Sequence, residues 1–541
     1  MTVDGPADAV ELAFVQSTVS ATDDWRGIQF LGPLWIVGRL RLDGAASDGV
    51  LVLQAYEKWG DAFVDHLAGD FAFVLWDGRR RRLLAARDRL GVRALFHAEA
   101  GGSLLLSDSL DWIAAHEATD SALDPRWVAD FLTIGHSRDF ESTVWRGVKR
   151  LAPAHLLEAG AVQAASRRYW RLELGEPLHL PNAAAYGERF RDVMASAIRD
   201  RLPSGRVGIS MSGGLDSTTL AACTVAATGD PSRVIAECTH FERLMVDEEK
   251  HYSTLAARHL GIEIVHTALD DAAYDPLWRT RSIDTAEPCV GALVAEPERR
   301  MSRAQAGLAP VWFFGEGPDN ALGFERDAYF RWLARRRDWR GLMRAALGYL
   351  GTKDGWGETL RRYSGLRAPD VPDDPEPPWL APDIAALTRR EDTAPPPHPW
   401  HPRAMASFSS AIWPALFANF DVDESQAPLV WRHPFLDLRV LGFLLAVPPV
   451  PWARRKLLLR EAMRGRLPRE ILERNKTPLA TSPFASPVAT HGLPPLARDG
   501  RLEAFVDADK LPEAASAGPL LSRLIAVHAL DYWLARHPRR R

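Results

Sequence analysis

The chain has 541 residues, a formal net charge of −4 and only three cysteines, Cys223, Cys238 and Cys289. This length predicts more than one domain with an ample core, and the interspersed charges exclude the basic face of a nucleic-acid-binding protein. Three cysteines without metal-ligand spacing predict neither a disulfide framework nor a thiolate metal site.

The sequence carries no pattern typical of export or membrane insertion. Its N-terminus is acidic and lacks a signal-peptide pattern. The longest apolar stretch, residues 440–452, is interrupted by Pro448-Pro449 and is too short to span a bilayer. We therefore expect a cytoplasmic protein that has neither a membrane nor a nucleic acid as a partner.

Residues 34–108 alternate short β-like runs with turn signals. The Asp77-Gly78 pair is a hairpin signal, and residues 50–59 form one helix-like segment among the runs at residues 34–37, 71–76, 83–86 and 104–106. This pattern predicts a layered α/β domain rich in antiparallel sheet, which we place at residues 1–175.

A second pattern begins near Asn182, a candidate helix N-cap, after which apolar residues share one helical face: Tyr186, Phe190, Val193 and Ala197. Strand-like runs at residues 206–211, 234–238 and 311–314 then alternate with helical ones. The alternation predicts an α/β fold with a doubly wound parallel sheet and a helical C-terminal part, over residues 176–541. Residues 367–402, rich in proline and acidic residues, are predicted to be an inserted surface loop or a partly disordered segment.

One loop between a predicted strand and a predicted helix has the composition of a phosphate cradle, and its residues are Ser212-Gly213-Gly214-Leu215-Asp216-Ser217. The glycines let backbone N–H groups approach an anion, the serines add donors, and the helix N-terminus favours negative charge. Asp216 beside phosphate requires a divalent cation between them. The loop therefore predicts a nucleotide with Mg²⁺, although an ordinary Gly-Ser turn is the alternative. It is neither a Walker A loop nor a nucleophile elbow.

The loop resembles the pyrophosphatase loop of the asparagine synthetase superfamily, whose members split ATP between the α- and β-phosphates and transfer AMP to a carboxylate. The resemblance implies that ATP and Mg²⁺ are the cofactors and that residues 176–541 form an ATP-pyrophosphatase domain of the adenine nucleotide α-hydrolase type. It also implies an ATP- and pyrophosphate-binding role for Ser212, Gly213, Gly214, Leu215, Asp216 and Ser217.

Residues 69–77 and 86–93 resemble the N-terminal glutaminase-type (Ntn-type) domain of the same family. There, a cysteine directly after the initiator Met removes ammonia from glutamine, and an Asn-Gly pair binds the glutamine. Here Thr2 stands at the first position, Val37-Gly38 at the second, and no cysteine precedes Cys223. The resemblance thus implies a catalytically inactive glutaminase-like domain, with an N-terminal threonine nucleophile as the alternative.

The segment Gly315-Glu316-Gly317-Pro318-Asp319-Asn320 resembles the family's Gly-Glu-Gly-x-Asp-Glu motif, with Asn320 in place of its last glutamate. By this resemblance Asp319 is a metal ligand together with Asp216, and Glu316 is a catalytic carboxylate of the substrate pocket. Glu249 corresponds to a third carboxylate that contacts the metal or pyrophosphate. Mg²⁺ prefers such oxygen ligands.

Residues 455–477 resemble the C-terminal signature of the superfamily, in which Lys476 matches the catalytic lysine and Lys456 an upstream lysine that binds pyrophosphate. Fixed cations are needed where pyrophosphate leaves and where an oxyanion forms. A surface helix is the alternative for Lys456. In much of the family a glutamate precedes the arginine that matches Arg432 by two residues, but here that position is Val430. The base that would activate the amine is therefore open, with Asp423 and Glu424 as candidate substitutes.

Residues 315–322 and the run Pro448-Pro-Val-Pro-Trp452 before Lys456 look most like those of lasso peptide cyclases, which lack glutaminase activity and are macrolactam synthetases related to β-lactam synthetases. This resemblance implies adenylation of an Asp or Glu side chain in a precursor peptide and ring closure by its N-terminal amine. It also implies a leader-binding protein and a leader peptidase as partners. The alternatives are a small-molecule amide or β-lactam synthetase and a non-catalytic nucleotide-binding scaffold.

Overall fold

A computed structural model describes residues 2–3, 9–13, 18–23, 26–31, 34–37, 47–160, 164–245, 247–271, 274–275, 277–281, 285–351, 376–388, 397–418, 420, 429–475, 485–497 and 500–537. Across these ranges, no helix is both long enough and apolar enough to cross a membrane.

The first part of the chain forms a layered α/β structure. A six-stranded sheet has the order β13-β12-β8-β7-β4-β3, a five-stranded sheet the order β1-β2-β10-β9-β11, and β5 pairs with β6. The strands are β1 (Thr2–Val3), β2 (Ala9–Ala13), β3 (Thr18–Asp23), β4 (Arg26–Leu31), β5 (Leu34–Val37), β6 (Leu67–Gly69), β7 (Ala72–Asp77), β8 (Arg82–Arg87), β9 (Phe96–Ala100), β10 (Ser103–Ser107), β11 (Lys149–Arg150), β12 (His155–Ala159) and β13 (Ala165–Arg168).

The six-stranded sheet is covered on both faces, which explains why β7 and β8 are apolar along most of their length. Alternate side chains such as Phe73 and Leu84 pack toward helix Asp48–Trp59, whereas Val74 and Leu83 pack toward the side chains of β10. The predicted hairpin is confirmed, because β7 and β8 are antiparallel neighbours. The remaining helices of this part are the 3₁₀ helix Gly60–His66 and the α-helices Leu110–Ala114 and Pro125–Ile134.

The second part contains a five-stranded sheet in which all neighbours are parallel, in the order β16-β15-β14-β17-β18. These strands are β14 (Val207–Ser210), β15 (Val234–His240), β16 (Glu263–Ala268), β17 (Val311–Phe313) and β18 (Val430–Arg432). The order reverses between β14 and β17, so this is the doubly wound arrangement that the sequence predicts. Ligands of such sheets bind outside the carboxyl ends of the strands at that reversal.

The helices of the second part surround this sheet. Asn182 caps the first of them as predicted, since its side-chain oxygen accepts a hydrogen bond from the Ala185 amide at 3.0 Å. The α-helices are Ala183–Arg201, Leu215–Thr228, Glu249–Leu260, Trp278–Arg281, Ala295–Leu308, Pro318–Ala321, Arg326–Arg335, Trp339–Leu350, Pro382–Thr388, Pro402–Phe408, Ile412–Ala418, Leu438–Ala446, Pro449–Trp452, Leu457–Ala462, Arg469–Glu473, Ala485–His491 and Leu521–Arg536. The 3₁₀ helices are Pro231–Arg233, Val290–Val294, Pro434–Leu436, Arg454–Lys456, Leu502–Ala504, Ala508–Lys510, Ala514–Ser516 and Gly518–Leu520.

Part of the proline-rich segment is packed, and the predicted surface loop is wrong for residues 376–388. Trp379 is fully buried, and the Ala381 amide donates to the Phe505 carbonyl at 2.9 Å. Helix Pro382–Thr388 packs against helix Pro125–Ile134. Burial of the apolar residues outweighs the polar composition of the segment. Residues 367–375 and 389–396 lie outside the described residues.

The two parts of the chain share a hydrophobic core. Trp127 and Phe131 of the first part belong to one buried cluster with Leu524 and Leu530 of the last helix, Leu521–Arg536. The last helix, which follows the parallel sheet in the sequence, therefore packs against the first part of the chain. The boundary between residues 175 and 176 stays a prediction.

Candidate active site

The predicted nucleotide loop lies at the point where the strand order of the parallel sheet reverses. β14 ends at Ser210 and helix Leu215–Thr228 begins after Gly214, its N-cap residue. The Thr218 hydroxyl donates to the Gly214 carbonyl at 2.8 Å, and the Ser212 amide donates to the Ser217 hydroxyl at 3.2 Å. These bonds fold the loop over the positive end of the helix, where an anion is favoured.

Gly213 is the residue that brings this loop against a second helix. Its φ is +69°, and a Cβ there would lie 2.7 Å from the Ser253 amide nitrogen and 2.9 Å from the Glu249 carbonyl oxygen. Only glycine tolerates both this backbone conformation and such close backbone neighbours. The N-terminus of helix Glu249–Leu260 therefore meets the loop directly.

Two of the predicted metal ligands share one lysine ammonium. Lys456 Nζ contacts Asp216 Oδ2 and lies 2.6 Å from Asp319 Oδ1. Lys456 is the N-cap residue of helix Leu457–Ala462 and has a left-handed backbone conformation, with a φ of 53°. Asp319 comes from helix Pro318–Ala321, which follows β17. The structure thus brings Asp216, Asp319 and Lys456 together, as the sequence predicts.

This carboxylate pair fits a magnesium ion. Mg²⁺ is usually held by one or two carboxylates together with phosphate oxygens and water, and Asp216 and Asp319 already converge on a single cation. Bound there, Mg²⁺ would neutralise charge on the triphosphate. In the part of the chain that the structure describes, no cluster of three or more His, Cys, Asp or Glu side chains forms a ready-made metal site.

Glu249, the third predicted metal ligand, is paired with an arginine. Arg474 Nη2 lies 3.1 Å from Glu249 Oε1, and the same guanidinium lies 4.2 Å from the centroid of the Tyr252 ring. Burial raises the pKa of the Glu249 carboxyl, although Arg474 acts in the opposite direction. Glu249 Oε2 and Arg474 Nη1 are buried without a hydrogen-bond partner among the described residues, and such atoms call for a ligand or solvent. The metal role of Glu249 stays a prediction.

These groups surround one cavity of about 610 Å³. Of the residues predicted from the sequence, the cavity wall includes Ser212, Gly214, Leu215, Asp216, Ser217, Glu249, Glu316, Asp319 and Lys456. Gly213 supports the loop from behind through its contact with helix Glu249–Leu260. Lys476 lies outside the described residues, which stop just before it at Asn475 on the cavity wall.

Three arginines of the cavity wall, Arg455, Arg460 and Arg474, received no role from the sequence. Arg460 Nε donates to the Arg455 carbonyl at 2.6 Å, and its Nη2 donates to the Arg474 carbonyl at 3.0 Å. Burial and the nearby Arg455 charge lower the Arg460 pKa. All three arginines lie within or beside the basic residues of positions 454–477, but the sequence does not show which of these side chains face the cavity.

The positions where the chain departs from the family pattern also have defined surroundings. Val430 begins β18 and is half-buried. The Asn320 amide donates to the Ser407 hydroxyl at 2.7 Å, so it binds a neighbouring helix. His433, just after β18, is enclosed, and burial together with nearby arginines lowers its pKa to about 3. The candidate bases Asp423 and Glu424 lie outside the described residues.

Comparisons with known proteins agree with this architecture. Residues 41–170 match the glutamine amidotransferase domain family, and residues 189–534 match the asparagine synthase family. A putative asparagine synthetase of Mycobacterium tuberculosis is 26% identical over 467 residues, covering 80% of this chain and 69% of that protein.

Two further relatives match over shorter stretches. Asparagine synthetase 3 (glutamine-hydrolyzing) of Bacillus subtilis is 33% identical over 177 residues, or 32% of this chain and 28% of that protein. Amidase chyE of Penicillium rubens is 27% identical over 260 residues, or 43% of this chain and 37% of that protein. The chain thus aligns with only about a third of the length of these two relatives.

Solved structures add little to these matches. The B. subtilis glutamine phosphoribosylpyrophosphate amidotransferase has 12% identity and a TM-score of 0.18, covering 42% of this chain and 50% of that one. The Methanococcus maripaludis tRNA thiolase NcsA has 14% identity and a TM-score of 0.21, covering 43% and 81%. Both scores are too low to indicate a shared function. With the family match extending over residues 189–534, the chain belongs to the asparagine synthase family.

Proposed function

We propose that the protein is an ATP-dependent, AMP-forming cyclase of lasso peptide biosynthesis. In this proposal, a carboxylate oxygen of an Asp or Glu side chain attacks the α-phosphorus of ATP and pyrophosphate leaves. The N-terminal amine of the same peptide then attacks the acyl carbon, loses a proton, and expels AMP. The product is a macrolactam, one water lighter than the linear peptide.

One observation carries this proposal: the adenylation groups lie in a single cavity, whereas the groups expected for ammonia release are missing from the sequence. Asp216, Asp319 and Lys456 lie together at the reversal of the sheet. By the resemblance to the glutaminase-type domain, Val37 stands where the family has its glutamine-binding asparagine, and residues 1–222 contain no cysteine. An enzyme that adenylates a carboxylate but receives no ammonia from glutamine needs an amine supplied by its substrate.

The residues have distinct roles in this scheme. The loop of residues 212–217 and Lys456 hold the pyrophosphate half of ATP, where backbone donors and a fixed ammonium oppose its charge. Glu316 lies on the cavity wall, where it can orient the substrate. Lys476 stabilises the oxyanion that forms when the amine attacks. In this proposal the protein acts in the cytoplasm on a precursor peptide. Its partners are a leader-binding protein and a leader peptidase.

Exchange of labelled pyrophosphate into ATP tests the proposal. A leaderless peptide with a free N-terminus and an internal Asp should stimulate exchange in the presence of Mg²⁺, and the same peptide with Asn in place of Asp should not. Free aspartate and short β-amino acids are tested in parallel as small-molecule substrates. Exchange stimulated only by these small molecules would favour a small-molecule amide or β-lactam synthetase. No exchange with any acid would favour a non-catalytic scaffold.

A further inference from the structure

A second cavity, of about 420 Å³, lies between the first part of the chain and the helices around the parallel sheet. Its wall includes residues 135–137, 139 and 140 after helix Pro125–Ile134, residues 285 and 287–292, three residues of helix Ala295–Leu308 (Glu298, Arg299 and Ser302), and most of helix Ile412–Ala418. It shares no wall residue with the nucleotide cavity. Its size is typical of cavities that hold small molecules or short peptide segments.

Two adjacent charged side chains of this wall, Glu298 and Arg299, have no side-chain ion pair within the described ranges, and Arg299 Nε is buried without a hydrogen-bond partner there. A third charged group of the wall is already neutralised, because Arg150 Nη2 lies 2.6 Å from Glu287 Oε2. Among the described residues, two carboxylates, Glu298 and the exposed Asp139, and one guanidinium, Arg299, therefore line the cavity without an ionic partner. A ligand with both a cation and hydrogen-bond acceptors would satisfy them.

The balance of charge favours a cation over a phosphate. The wall carries three carboxylates, Asp139, Glu287 and Glu298, against two guanidiniums, Arg150 and Arg299. The other titratable groups, His136 and Cys289, add no positive charge at neutral pH, because burial lowers the His136 pKa and a thiol is neutral or negative. Glu298 is accessible to solvent, yet desolvation by the surrounding protein raises its pKa to about 7, so a cationic neighbour would stabilise its charged form.

The rest of the wall is apolar. Val290 and Ile412 remain 38% and 46% exposed, although large apolar side chains are normally buried. Trp127, Phe140 and Leu416 line the same space. Apolar surface left open beside a carboxylate fits a ligand that carries an apolar group next to a cation.

We propose that this cavity binds a peptide segment in which an apolar side chain stands next to a basic side chain. The basic group pairs with Glu298, a backbone carbonyl accepts from Arg299, and the apolar group packs on Ile412 and Leu416. The first part of the chain thereby acts as half of a peptide-binding site, with no need for glutaminase chemistry. Peptide binding in this cavity does not depend on the proposed function. Only the identification of the bound segment as part of the cyclase's peptide substrate rests on it.

The chain contains a natural reporter for the cavity. Cys289 lines it, whereas Cys223 and Cys238 are buried, and burial raises the pKa of both to about 12. Because the thiolate is the reactive form, a small maleimide should modify Cys289 first. The modification rate, followed by mass spectrometry without ATP, then measures occupancy of the cavity.

The probe is the peptide acetyl-Ala-Phe-Lys-Ala-amide, compared with its counterpart that has Glu in place of Lys. At about five times its dissociation constant, the basic peptide should slow modification of Cys289 about sixfold, as mass action requires, and the acidic one should leave the rate unchanged. Glu298→Gln should remove this protection. Glu296→Gln, on the same helix but outside the cavity wall, should keep it.

Equal protection by both peptides, no protection by either, or full protection in Glu298→Gln would overturn the proposal. Retained ATP binding by Glu298→Gln shows that the variant is folded. The labelling assay is independent of adenylation, and Asp216→Asn should show the protection of the wild type. If peptide-dependent pyrophosphate exchange is absent but this protection is seen, the proposed function fails and the peptide site stands.

Discussion

Replacement of Gly213 by alanine should uncouple the nucleotide loop from the helix behind it. The added methyl group would lie 2.7 Å from the Ser253 amide nitrogen and 2.9 Å from the Glu249 carbonyl oxygen. Both atoms belong to the backbone of one helix and cannot rotate away. The positive φ costs about 1 kcal/mol for alanine, and the overlap costs about 1–3 kcal/mol if the helix stays in place.

We therefore expect Gly213→Ala to lower the free energy of unfolding by about 2–4 kcal/mol, or to relieve the overlap by moving the loop. A displaced loop misplaces the backbone donors for phosphate, and each lost bond of about 1.4 kcal/mol weakens ATP binding tenfold. Chemical denaturation and calorimetric titration with a non-hydrolysable ATP analogue measure the two effects.

Gly229→Ala is the matched control. Gly229 ends helix Leu215–Thr228, which begins at the nucleotide loop; its φ is +68°, and a methyl group there would meet no atom within 4 Å. This variant should lose about 1 kcal/mol of stability through the backbone conformation alone and should bind ATP normally. If Gly213→Ala lost no more stability than Gly229→Ala and bound ATP with wild-type affinity, the assigned role of the close helix contact would be refuted.

Further variants test the other groups. Asp216→Asn and Asp319→Asn should each slow pyrophosphate release about a thousandfold while the circular dichroism spectrum stays unchanged. Thr2→Ala should be silent in amide formation, and no glutamine-derived ammonia should appear in wild type or variant by enzymatic ammonia assay. Lys476→Ala should bind ATP in calorimetry but form no product, because a cation aimed at the reacting centre acts on turnover more than on affinity. His433 must take up a proton on unfolding below its unfolded-state pKa of about 6.5, so wild-type stability should be complete above that pH and fall by about 2 kcal/mol down to pH 5. His433→Phe should flatten this loss in urea titrations at the two pH values.

The nucleotide half of the site was predictable because its signals are local. A strand, two glycines and the beginning of a helix follow one another within a few residues and define the phosphate-binding loop. The Asn182 cap is equally local, because it depends only on Asn182 and the first turn of its own helix. The alternation of strands and helices also placed Asp319 at the same edge of the sheet as Asp216, since both follow parallel strands.

What the sequence could not provide depends on contacts between distant segments. The pair of Arg474 and Glu249 joins residues 225 positions apart, and the inward direction of Lys456 follows from its left-handed backbone. The burial of Trp379 could not be predicted from the proline-rich and acidic residues around it, because Trp379 packs in a cluster with helices elsewhere in the chain. The second cavity exists only where separate regions of the chain meet, so no local pattern announces it.

The mass of the product tests the central claim most directly. Purified protein, MgATP and a leaderless peptide with a free N-terminus and an internal Asp are incubated, and the peptide is analysed by mass spectrometry. The account predicts a product lighter by one water, resistant to N-terminal sequencing, with one AMP formed per ring. A peptide that stays linear while a small amino acid is condensed with AMP release would contradict it.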